Sequence, residues 1–301
     1  MKCELVVNKP AQSPMSVEKF KEILPQICDK ETSLDSNSWI PSNPLWGHCA
    51  VVSLVGQNLF GGELLRASLQ DTPFAQMRSH YWNKLADGSE EDFTKPQFQD
   101  QYPQNLKAET RERSYVLQYV ETAKRYKLLA LRLAKHLSNN NPLFDDPIYR
   151  ACFETALDSP CQKMKFGTVL THNSKTVYQG NNHTIEALKS LCENGCIRFS
   201  IQSRTESMLG SCGHAEEFGV WEVAKKDIPL NEVDLYIAGF YPNGLPWIKQ
   251  EPVHTCLRCT TQMHNAGIRT VFVPVKDRWV GISTEEALKT ALAYATQEKK
   301  V

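Results

Sequence analysis

The sequence has no surplus of either charge, because 34 lysines and arginines are matched by 34 aspartates and glutamates. Net charge therefore gives no case for a phosphate-tracking surface or for an anionic membrane, although a local patch could still meet nucleic acid. Long hydrophobic runs are also lacking. Residues 1–10 hold no apolar core of signal-peptide length, and no stretch is fit to span a bilayer. The expectation is a cytoplasmic protein with no membrane partner. The ten cysteines lack the spacing of a disulfide framework, so they read as reduced thiols, metal ligands and catalytic candidates. Internal repeats and low-complexity tracts are absent too, which sets aside repeat architectures. What remains is a 301-residue chain of a length natural for two domains.

The chemistry is concentrated between residues 213 and 259. Gly213-His214-Ala215-Glu216-Glu217 is followed, past one candidate strand, by His254-Thr255-Cys256-Leu257-Arg258-Cys259. A histidine and two thiolates are three good zinc ligands, and they leave the fourth tetrahedral position to water, as a catalytic zinc requires. His214, Cys256 and Cys259 are the ligand candidates, and Glu216 is the candidate base. If His214 opens a helix, Glu216 lies less than one turn on and can face the same pocket. A second helix beginning at Cys256 puts Cys259 one turn along, near the positive end of the helix dipole.

Around this motif, Pro147 can occupy the first position of a helix over residues 147–157. Residues 166–171 and 176–180 read as a hairpin around His172-Asn173-Ser174-Lys175, and residues 233–240 and 268–275 read as further strands. A last helix covers residues 284–297. The order predicts a three-layer α/β/α domain whose strands after the hairpin are parallel.

That order and the spaced histidine-x-glutamate and cysteine-x-x-cysteine pairs resemble the cytidine deaminase superfamily. Thr255 departs from the signature, which has proline there. Cys192-Glu193-Asn194-Gly195-Cys196, Ser203-Arg204-Thr205-Glu206 and Cys212-Gly213-His214 are similar to an insertion carried by deoxycytidylate deaminases. The resemblance implies a zinc cofactor, Glu216 as proton carrier, and Asn182 as a contact to sugar or base. It also raises a second metal among Cys192, Cys196, Cys212 and His183, and a homo-oligomer as partner state.

In the first half, residues 16–27 form a helix candidate that Pro25 kinks or ends early. Prolines forbid helix before Trp46, and the apolar run after Gly47 suits a buried helix with Cys49 in its first turn. Asp87-Gly88 signals a hairpin with His80 on the strand before it and Asp92 on the strand after it. Residues 39–98 thereby resemble transglutaminase-like and papain-like thiol enzymes, which implies Cys49 as nucleophile, His80 as base and Asp92 as its orienter. The plain alternative is a buried cysteine, a core histidine and a turn aspartate. Residues 111–137 read as a basic amphipathic helix, and Ser138-Asn139-Asn140-Asn141-Pro142 as the break between domains.

The expected organisation is an α+β, papain/transglutaminase-like domain over residues 1–138 and an α/β deaminase-like domain over residues 146–301. The leading function is a zinc-dependent hydrolytic deaminase of an amino-bearing nucleobase in a small nucleoside or nucleotide, of cytidine or deoxycytidylate type. Three alternatives stand beside it. One is a thiol-dependent amidohydrolase or peptidase in the first domain, another is a deaminase acting on nucleic acid, and the third is a front domain serving only as an interaction module.

Overall fold

A computed structural model describes residues 15–188, 196, 212–250, 253 and 255–297, and the chain divides into two units between Leu137 and Ser138. In the first unit Ser16 caps α1 (Val17–Ile27), its hydroxyl accepting from Lys19 N at 3.1 Å. Pro25 sits inside the last turn, and the helix stops two residues later. The helix α2 (Cys49–Phe60) is apolar nearly all round, with Val51, Val52, Leu54 and Val55 buried, as a central helix requires.

The strands β1 (Glu63–Ser68), β2 (Ser79–Lys84), β3 (Glu90–Glu91) and β4 (Glu109–Arg111) form an antiparallel sheet in the order β3-β2-β1-β4. Helix α2 is tied to β2 by the buried Asn83, whose Nδ2 donates to Ser53 O at 2.9 Å. At Gly56 a Cβ would meet the Phe93 ring at 2.7 Å, so only glycine admits this approach of helix and loop. The hairpin expectation needs one correction: Asp92 lies just past β3, not on it. Its Oδ1 accepts from Thr94 N at 3.1 Å and Thr94 Oγ1 at 3.2 Å, a side-chain turn that ends the pairing. The basic segment, expected as one helix, is broken into α3 (Arg113–Leu117) and α4 (Val120–Leu137), the latter burying Tyr126, Ala130 and Leu133.

In the second unit Asp146 caps α5 (Pro147–Leu157) through Tyr149 N at 2.8 Å. The hairpin of β5 (Lys165–His172) and β6 (Lys175–Asn181) turns on Asn173 and Ser174, both with positive φ (49° and 61°), the left-handed pair of a tight two-residue loop. There follow β7 (His183–Thr184), β8 (Cys212–Gly213), α6 (Ala215–Ala224), β9 (Val233–Phe240), α7 (Leu257–Ala266), β10 (Thr270–Val275), β11 (Arg278–Ser283) and α8 (Thr284–Gln297). The main sheet runs β11-β10-β9-β5-β6, and a separate two-stranded ladder pairs β7 with β8. The expectation of parallel strands is met by β9 and β10 alone. The unanticipated β11 folds straight back, antiparallel to β10, across the left-handed Lys276.

Side-chain alternation along a strand assigns the layers. A Cβ on Gly167 would meet α5 at Cys152 O (2.0 Å), while Leu170 Cδ1 lies 2.6 Å from where a Cβ on the α6 residue Gly219 would stand. Odd and even positions of β5 thus face opposite helices. On the α6 side, Leu170, Leu235, Ile237, Val271 and Val273 pack with Val220 and Val223 of α6, Cys259 and Met263 of α7 and Ala287 of α8. On the α5 side Tyr236 stacks on Phe272 at 4.4 Å and meets Trp279 edge-on at 5.3 Å. No helix among the described residues is long and apolar enough to cross a membrane.

Candidate metal centre and thiol cluster

Two helix starts converge in the second unit. His214 is the N-cap of α6 and Cys256 the N-cap of α7, with Cys259 one turn into α7 and fully buried. The His214 Nδ1 lies 3.0 Å from Cys259 Sγ, and the ligand atoms of His214, Cys256 and Cys259 all fall within 4.8 Å of one another. Zinc bonds of about 2.0–2.3 Å at tetrahedral angles place such atoms about 3.3–3.8 Å apart, so small side-chain adjustments seat the ion. The donor set fits zinc in number and softness. Among the described residues this is the group of histidine, cysteine and carboxylate ligands able to hold a metal.

The three groups also compete for protons. The hydrogen bond with Cys259 pulls Cys256 down to about 4, and the same contact, with burial, pushes Cys259 up. His214, hydrogen-bonded to Cys256, rises to about 9 against the effect of burial. A divalent cation releases those protons, and metal affinity is accordingly pH-dependent. Glu216, in the first turn of α6, is buried, and burial raises its carboxyl to about 7.

Glu217 was assigned no role from sequence, yet it ties the two helices together. Its carboxylate accepts His214 N at 2.8 Å, Arg258 Nε at 2.6 Å and Gln262 Nε2 at 2.7 Å. Burial opposes its charge, but Arg258 and the His214 N–H outweigh burial and hold the carboxyl below its usual range. A glutamate three residues after the N-cap is the signal that could have found it. Thr255, in the proline position, hydrogen-bonds through its hydroxyl to Thr260 Oγ1, which also donates to Cys256 O at 2.8 Å. The departure from the signature therefore braces the cysteine-bearing turn.

Asn182 is buried, with Oδ1 accepting from Phe166 N at 2.8 Å and Ser159 Oγ at 2.8 Å, and Nδ2 donating to Met164 O at 2.8 Å. These bonds hold the start of β5. His183 stacks on Phe218 at 3.7 Å, and Thr184 Oγ1 meets Cys212 Sγ at 3.4 Å across the β7–β8 ladder. Among the described residues His183, Cys196 and Cys212 do not assemble as a metal-holding group. Cys192 and His254 lie outside the described residues.

In the first unit, Cys49 opens α2 and its Sγ approaches Ser79 O at 3.9 Å, beside His80. His80 Nε2 meets Asp92 Oδ2 at 2.7 Å, and Gln97 Nε2 lies 3.5 Å from His80 Nδ1. Burial disfavours charge on His80, but the hydrogen bonds to Asp92 and Cys49 prevail and raise the ring to about 9. Trp82 stacks on the ring at 5.7 Å, and a cleft of about 360 Å³ beside it is lined by Lys21, Trp82, Glu90, Asp92, Lys95 and Tyr102 among others.

Comparison with known families accords with this division. Residues 144–275 match the family model of the cytidine and deoxycytidylate deaminase zinc-binding region, and residues 16–138 match that of the YunG protein. No curated protein and no solved structure matched the chain. The second unit thus carries a zinc-binding deaminase domain, with zinc as the cofactor that His214, Cys256 and Cys259 are able to hold.

Proposed function

We propose that the second unit hydrolytically deaminates an amino-bearing nucleobase within a nucleoside or nucleotide, of cytidine or deoxycytidylate type. The observation that carries this reading is the convergence of His214 Nδ1, Cys256 Sγ and Cys259 Sγ beside a buried carboxylate two residues past the histidine. Bound zinc supplies Lewis acidity that makes hydroxide available near neutral pH.

The protein's own groups divide the remaining work. His214, Cys256 and Cys259 would hold the ion, a set of three protein ligands that would leave it accessible to water and substrate. Glu216 accepts the proton of the attacking water, hands it to the ring nitrogen, and then serves the departing ammonia. Burial raises its carboxyl above the usual range, the direction that suits a group which must both take and give a proton. Glu217 and Arg258 keep α6 and α7 in register, and Thr255 with Thr260 steadies the cysteine turn. A small substrate is favoured by the zero net charge, because a polymeric one favours a basic groove.

The test is ammonia release from purified zinc-loaded protein over a panel of cytosine, adenine and guanine nucleosides and nucleotides, with single-stranded oligonucleotides alongside. Turnover of a cytosine nucleoside or nucleotide, abolished in Glu216→Gln with zinc retained, is the expected result. Turnover confined to oligonucleotides overturns the small-substrate reading, and no ammonia from any of them overturns the proposal.

A further inference from the structure

We propose that Cys49, His80, Asp92 and Gln97 form a second centre, a thiol-dependent acyl-transfer site in the first unit that acts on a carboxamide. The cluster draws on four separate elements: the first residue of α2, the strand β2, the turn after β3 and the short helical turn Lys95–Phe98. Each contributes one chemically distinct part. His80 Nε2 pairs with Asp92 Oδ2 at 2.7 Å, which fixes the ring and turns Nδ1 toward Gln97, and Cys49 hydrogen-bonds the same ring. Asp92 is itself locked, its second oxygen taken by Thr94 N and Thr94 Oγ1.

The other histidine within reach is excluded as the base. His48 has both ring nitrogens engaged, with Thr32 Oγ1 at 2.8 Å and Trp46 O at 2.9 Å, and burial lowers it to about 4. The thiol meanwhile sits where a negative charge is favoured. It stands at the N-terminus of a 12-residue helix, and the largely buried Arg125 lies close enough to interact with it.

Gln97 supplies the remaining function. Its Oε1 accepts Gly47 N at 3.2 Å, so its Nε2 is the end that faces His80. The residue is buried, and its own carbonyl accepts Asn43 Nδ2 at 2.9 Å, which pins the turn that carries it. Once Nδ1 takes a proton, the Gln97 amide has no acceptor there and is free to donate to an oxygen developing beside the sulfur. A buried amide donor beside the base is what acyl transfer needs and what a merely structural cysteine does not.

The reaction balances without redox change. His80 Nδ1 takes the proton of Cys49 Sγ–H, and the thiolate attacks the carboxamide carbon. The C–N bond then breaks and the amine departs with the proton from His80. Water, losing a proton to Nδ1, attacks the thioester carbon, the C–S bond breaks, and the carboxylic acid leaves as sulfur regains its proton. A cleft on the Asp92 side of the ring, whose walls include Lys21, Trp82, Glu90, Lys95 and Tyr102 but not Cys49, lies next to the cluster.

The experiment uses the full-length zinc-loaded protein. Iodoacetamide labelling is mapped to individual cysteines between pH 5 and 9, and acylation by p-nitrophenyl acetate is read by mass. The expected result is labelling of Cys49 in the native protein at a rate nearly flat from pH 6 to 8, with a single acetyl group added there. In His80→Asn and Asp92→Asn the rate at pH 6 falls at least about tenfold and rises with pH as for an ordinary thiol. Asp92→Asn guards against a His80 variant that fails to fold, and unchanged zinc content and ammonia release in Cys49→Ala show that the effect belongs to this site. Labelling only after denaturation, an unchanged pH profile in Asp92→Asn, or reactivity without an acetyl adduct each overturns the proposal.

Discussion

Glu217 receives Arg258 Nε at 2.6 Å, and through this pair the first turn of α6 is fastened to the first turn of α7. One helix brings the histidine and the other the two cysteines, so a contact outside the ligand set decides whether the ligands meet. Arg258→Ala should lower stability by about 1–3 kcal/mol. The loss is less than for a fully buried pair because the arginine side chain is 38% exposed while the Glu217 side chain is 1% exposed. Zinc affinity should fall roughly tenfold or more, as when a partner of a ligating group is removed. Thermal unfolding with zinc titration by a competing chelator checks both.

Removing the metal should destabilise the second unit and leave the first intact. A ligand present at 100 times its dissociation constant stabilises by about 2.7 kcal/mol, and stripping it removes that amount. Differential scanning calorimetry of chelator-treated protein should show one transition moving down. Cys259→Ala should do the same without chelator and add a cavity cost, since Cys259 is fully buried among Leu170, Val223 and Met263.

Thr255→Val tests the departure from the family signature. The change keeps the shape of the side chain and removes the hydroxyl that meets Thr260. A loss of about 1 kcal/mol with full zinc content is expected, the net worth of one hydrogen bond. Loss of zinc instead would mean that the turn, and not only its bracing, depends on this residue.

His80 should titrate near pH 9, which an NMR pH titration of its ring protons reads directly. In Asp92→Asn the value should fall, because burial is then opposed by Cys49 alone. The sign for stability follows from the raised value. The folded-state pKa lies above the unfolded one, so protonated His80 contributes stability that is full below pH 6.5 and is lost as pH rises through about 9. This is best measured in Cys49→Ser, which removes the neighbouring sulfur. Asp92→Asn in that background should flatten the stability curve across the window.

The elements that sequence reading located well are those with local causes. Asp146 and Pro147 start α5 whatever surrounds them, and Asn173-Ser174 closes the hairpin by its own backbone preference. The metal ligands were legible for the same reason, since the spacing of Cys256 and Cys259 is one helical turn and needs no tertiary information. The strands β1, β4 and β11 were not read: β4 is three residues long and lies at a sheet edge, as β11 does, and the Gly61-Gly62 pair before the interior strand β1 was passed over. Asp92 was placed on a strand that its own carboxylate terminates. Glu217, Arg258 and Gln262 form a contact between segments 41 and 45 residues apart, and no pattern within either segment announces it. Gln97 became visible only when the fold set its amide beside His80.

The separation between Cys256 and Cys259 is dictated by the backbone of a single turn, whereas the distance from either sulfur to His214 spans two helices. The ligand polyhedron therefore has one rigid edge and a pair of adjustable ones. Beyond what side-chain rotation allows, an ion of larger radius requires α6 to slide along α7, and the Glu217 fork resists that movement. Substitutions at that seam should therefore alter how well ions of different radius are held.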